Sequence, residues 1–174
     1  MKHNSETQSV HAMTGVDNYT PVEIAELTDA KGVTKANSPA ATTLALGVLA
    51  GAFIALGGTF AIVVGSHSAL GFGPTRLLTG MAFSVGLILV VIAGAELFTG
   101  NTLIVMSLVS KRITLTKLLR NWGIVYVGNF AGALVIVAGV YLARWWAQDG
   151  FGVGAAALAI ADGKVDLSFQ AIFF

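Results

Sequence analysis

No charged residue occurs between positions 41 and 65 of this chain. About 20 consecutive apolar residues suffice for an α-helix to cross the ~30 Å hydrocarbon layer of a bilayer, so this stretch predicts a membrane span. Two more runs match it, at 77–110 and 122–143, the last closed by Arg144-Trp145-Trp146, whose indoles suit the membrane-water boundary. A short apolar segment follows at about 155–161, and an apolar pattern begins again at 167–174. With 55% hydrophobic and 11% charged residues, the chain is too apolar for a soluble domain of its length. The expected class is an all-α integral membrane protein with three transmembrane helices and the start of a fourth.

Several functions drop out. A net charge of +1, with basic residues in short interspan segments, offers no nucleic-acid surface. There is no cysteine, and His3, His11 and His67 lie outside the spans, so no metal or haem site is expected. No nucleophile-base pair or nucleotide loop points to an enzyme.

Residues 1–40 are polar and of mixed charge, unlike a signal sequence, and read as a cytoplasmic tail ahead of a transmembrane domain at 41–174. Thr20-Pro21-Val22-Glu23 fits a capping box with proline at the first helical position, which predicts a short amphipathic helix at about 20–31. Gly32 and then Ser38-Pro39 would separate it from the first span. The tail is either an ordinary one or a helix docked near a pore mouth. Lys111, Arg112, Lys117 and Arg120 crowd the connection after the second run, which places that connection and the amino terminus in the cytoplasm. Only His67 and Arg76 lie in the connection before it, and Lys164 would stand near the outer end of the fourth span.

Gly47 with Gly51, and Gly128 with Gly132, have the spacing that lets helices approach closely, whether in bundle packing or at a subunit contact. The run at 77–110 is too long for one helix at ~1.5 Å per residue, so it must tilt or break. Gly94-Ala95-Glu96-Leu97-Phe98-Thr99-Gly100-Asn101 combines two glycines with a carboxylate, a hydroxyl and a carboxamide inside it. Irregular backbone at membrane depth persists only where protein surrounds it or water fills a cavity that it lines, so a broken helix with a re-entrant loop is expected at 94–101. Glu96 is either a functional acid or a group that holds the loop or an adjoining subunit by hydrogen bonds. Thr99 can donate a hydrogen bond to an anion.

These residues resemble the formate/nitrite transporter family. Gly80 to Thr99, with Phe83-Ser84, Gly86-Leu87 and Gly94-Ala95-Glu96-Leu97-Phe98-Thr99, is similar to the family's broken second helix. Arg112-Ile113-Thr114, Asn121-Trp122, Tyr126-Val127-Gly128-Asn129 and Gly132-Ala133-Leu134 resemble its next loop and third helix. The resemblance covers roughly residues 20–174. It implies a homopentamer with one pore per subunit, in an aquaporin-like fold of two inverted three-helix repeats, of which this chain would hold the first and the start of the second. It further implies that Thr99 faces the pore centre, that Leu97, Phe98 and Leu87 form the cytoplasmic-side constriction and Phe83 the outer one, and that Lys164 favours anion entry. The family's central histidine lies in the second repeat, so the chain reads as part of a longer protein. The expected function is passive passage of a small monovalent anion, formate first, across the inner membrane. Nitrite or hydrosulfide transport, or a non-transporting fragment or assembly subunit, is the alternative. No cofactor is implied.

Overall fold

The computed structural model describes residues 19–66, 68–168 and 171. The first residues of the tail, all three histidines and most of 167–174, where a fourth span is expected, lie outside them. Among the described residues, seven α-helices follow in order, with a 3-10 turn at Thr102–Ile104 and another at Trp145–Ala147. No strand occurs among the described residues.

Helix α1, Pro21–Asn37, starts with the expected capping box, in which the Thr20 amide donates to Glu23 Oε2 at 2.7 Å and the Glu23 amide to Thr20 Oγ1 at 3.4 Å. The sequence predicts an end near position 31, but the helix runs six residues further, through Gly32. That glycine keeps helical geometry and uses its bare face for contact, because a Cβ there would overlap the Ser107 hydroxyl. Pro39 ends the helix instead, holding Ser38 in extended backbone at φ −62° and ψ 145°.

The three long apolar helices are α2, Ala40–Gly65, α3, Phe72–Ile92, and α6, Leu115–Leu142, each long and apolar enough to cross a membrane. Helix α2 lies between the other two, and its close approaches are glycine seams. A Cβ at Gly51 would overlap the Asn129 backbone, and one at Gly128 would sit 3.1 Å from Gly47. On the α3 side, a Cβ at Gly86 would sit 2.6 Å from the Phe53 carbonyl oxygen. The two predicted glycine pairs thus meet each other within the chain, where backbone contact replaces the side-chain burial that lipid does not reward.

Polarity is turned inside out accordingly. The largest fully buried side chains include Asn101, Asn121 and Ser107, while Phe60, Leu78, Ile92, Phe130 and Leu142 are exposed. Such a surface suits acyl chains, not water. The run at 77–110 does break: after α3 come α4, Phe98–Asn101, the 3-10 turn, and α5, Val105–Val109. The segment expected as a short apolar stretch at 155–161 belongs to a longer helix, α7, Gly152–Val165, packed against Trp146 where Gly154 lacks a side chain. Lys164 occupies its last turn.

Candidate functional site

The break is narrower than the sequence predicts. Only residues 93–97 leave helical geometry, and the helix resumes at Phe98. Gly94, at φ +62°, closes α3: its amide donates to Val91 O at 3.2 Å and the Ala95 amide to Val90 O at 3.0 Å. This pairing is the Schellman motif, which asks for glycine at the left-handed position. Gly100 and Asn101 supply no unusual backbone, Asn101 having φ −77° and ψ −10°. The expected loop therefore ends four residues early, because the Asn101 side chain serves as a cross-brace and the packing of Phe98 starts a new helix. Phe98 meets Tyr126 edge-on at 5.7 Å and Trp122 at 6.0 Å.

Free backbone groups inside a membrane each cost several kcal/mol, roughly, unless partnered. Asn129 of α6 supplies most of the partners. Its Nδ2 donates to Glu96 O at 2.9 Å and Gly47 O at 2.8 Å, and its Oδ1 accepts the Phe98 amide at 2.9 Å. The Glu96 amide donates to Leu46 O of α2 at 3.1 Å. Below these bonds lies a side-chain network. Lys35 Nζ, from α1, donates to Glu96 Oε2 at 3.0 Å and Asn101 Oδ1 at 2.8 Å. Asn101 Nδ2 donates to Asn121 Oδ1 at 2.9 Å, Asn121 Nδ2 to Lys35 O at 3.2 Å, and Trp122 Nε1 to Asn101 O at 2.9 Å. Glu96 is 9% exposed, and no buried polar side-chain atom among the described residues lacks a partner.

Around this brace, Leu97 and Phe98 are half-buried, and Thr99 and Gly100 are exposed in the first turn of α4. The Thr99 carbonyl accepts from the Thr102 hydroxyl at 2.6 Å, while the Thr99 hydroxyl has no partner among the described residues. Phe83 and Leu87 stand one turn apart on α3, both exposed. Phe83 lines a cavity of about 710 Å³ between α2, α3 and α7. Lys164 is exposed and held by no partner among the described residues.

Sequence reasoning gave no role to Lys35, Asn121, Trp122 or Asn129, the residues that hold the break. A carboxamide inside the third apolar run, at 129, and another just before it, at 121, were the available signal, since buried polar groups in a span need partners.

The family model described as formate/nitrite transporter matches residues 22–174, almost all of the chain. The chain belongs to the formate/nitrite transporter family. It is thus a multi-pass membrane protein of a transporter family, not of an enzyme family. Among its relatives, the formate channel FocA of Haemophilus influenzae is 42% identical over 123 residues, covering 70% of this chain and 43% of the relative. The Escherichia coli formate channel FocA is 37% identical over 150 residues, covering 86% and 53%. A solved structure described as a pentameric formate channel with formate bound aligns with a TM-score of 0.66 and 36% identity, over 75% of this chain and 51% of that one. The chain spans about half the length of the curated relatives it matches.

Proposed function

We propose that this chain forms half the wall of a passive pore for small monovalent anions, with formate as the leading substrate and nitrite next. The protein sits in the inner membrane as a homopentamer, with residues 1–40 and the loop at 110–114 in the cytoplasm. The named activity of the formate channels among its relatives supports this reading. The observation that carries it is the exposed Thr99 hydroxyl beside a break whose own backbone groups already have other partners. A hydroxyl without a partner among the described residues can donate to an anion at membrane depth.

Leu97, Phe98 and Leu87 form the cytoplasmic-side constriction and Phe83 the outer one, so that a permeating ion sheds most of its water shell. Lys164 raises the local concentration of anions by charge. Glu96 does not face the ion as a bare carboxylate, because Lys35 neutralises it at 3.0 Å.

Formate and nitrite flux into proteoliposomes tests this, with the present chain and a longer form compared. Thr99→Val should slow formate flux about tenfold, the cost of one hydrogen bond to a charged group. Unchanged flux in that variant makes Thr99 structural. Flux from the longer form only leaves this chain as a non-transporting segment.

A further inference from the structure

The cavity of about 710 Å³ lies at the end of the bundle away from the break. Its walls are apolar, with Ile62, Phe83 and Ile160 among them, and no carboxylate among the described residues lines it. Among the described residues four polar side chains do: Ser68, Thr75, Arg76 and Thr79. Two of these have already used their hydrogens. Thr79 Oγ1 donates to Thr75 O at 2.8 Å, and Thr75 Oγ1 donates to Ser68 Oγ at 2.7 Å.

Ser68 and Arg76 have not. Ser68 Oγ accepts from Thr75 and, at 3.4 Å, from the Leu70 amide, and its own hydrogen has no acceptor among the described residues. The Arg76 guanidinium sits 5.4 Å from the centroid of the Phe72 ring and has no carboxylate partner among the described residues. An aromatic face attracts the cation without accepting its in-plane N–H groups as a carboxylate would. The cavity therefore offers a guanidinium fork and a hydroxyl hydrogen, with no side-chain carboxylate among the described residues to compete for them.

We propose that Arg76 and Ser68 form an anion-collecting site in this cavity for a small monovalent carboxylate or nitrite, taken up before the ion reaches Phe83. A guanidinium pairs with two oxygens of such an ion at once, and Ser68 donates the third bond. The single positive charge suits a monovalent ion. Arg76 is a positioning and recruiting residue here, in addition to Lys164, and the inference rests on the reading of the chain as an anion pore.

The test uses the full chain in nanodiscs with 13C-formate as the probe, read as broadening of the formate line, alongside flux in proteoliposomes. The wild-type chain should broaden the line. Arg76→Gln should weaken binding roughly fivefold, as expected for one charge contact in a wet site, and Arg76→Lys should restore part of it. Flux at subsaturating formate should fall by a similar factor at low salt, and the gap should close near ~1 M salt, where the screening length is about 3 Å. Equal broadening by wild type and Arg76→Gln overturns the proposal, as does absence of broadening by the wild type. So does a flux defect of the same size at low and high salt, which marks a structural fault. If formate binds through Arg76 while neither this chain nor a longer form conducts it, the site stands and the pore reading falls.

Discussion

The break in the second span and the cavity at the opposite end of the bundle both hold polar groups in apolar surroundings, yet they use them in opposite ways. At the break, Glu96, Asn101, Asn121 and Asn129 are each bonded, and what they bond to is mostly protein backbone or one another. In the cavity, Ser68 and Arg76 retain donors that nothing among the described residues accepts. Saturated polarity builds a scaffold, whereas unsaturated polarity leaves room for a solute. Thr99 is the exception that links the two, an exposed hydroxyl with no partner among the described residues in the first turn after the braced segment.

If the break is a scaffold, removing its partners must cost stability. Asn129→Ala should have the largest effect, because it orphans the Glu96 carbonyl and the Phe98 amide together. Unfolding in detergent should show a loss of about 3–5 kcal/mol. A loss below ~1 kcal/mol would mean that water replaces the carboxamide and that the break is wet.

Lys35→Met comes next. It leaves a carboxylate that is 9% exposed without its cation, and a loss of about 3 kcal/mol is expected. Adding Glu96→Gln should recover part of that loss, since the stranded charge is then gone. A double variant no better than the single one would place the value of Lys35 in its bond to Asn101 instead.

The smallest effect concerns the face of α1 that meets α5 and the residues just after it. Ser107 and then Arg112 and Ser110 hold the Asp29 carboxyl below the ordinary carboxylate range, against the opposing pull of burial, with Arg112 Nη1 at 3.1 Å. A carboxyl depressed in the folded state contributes stability above its unfolded value, and that contribution is lost as pH falls through the folded value. The protection of the α1 amides, with the intrinsic exchange rate divided out, should therefore fall as the pH drops below about 4. Asp29→Asn should remove this pH dependence while leaving the exchange of α6 unchanged.

Local pattern explains what could be read in advance. The spans follow from uncharged length, the start of α1 from Thr20 and Glu23, and the break from Gly94 beside a carboxylate. Partners far along the chain leave no such mark. Lys35 reads as a tail lysine until Glu96, 61 residues on, is beside it. Gly32 reads as a helix stop until Ser107 is found against it. Gly100 and Asn101 have the composition of a turn, but the Asn101 side chain reaches Lys35 and Asn121, and its backbone stays helical. Where Lys164 and Phe83 stand relative to a permeating ion depends on surfaces that local composition does not encode.

The reach of Lys35 also orders assembly in time. Its ammonium waits for Glu96 and Asn101, and its carbonyl waits for Asn121, all synthesised long after it. The first described helix is thus fastened only after the segments that carry Glu96, Asn101 and Asn121 have been made.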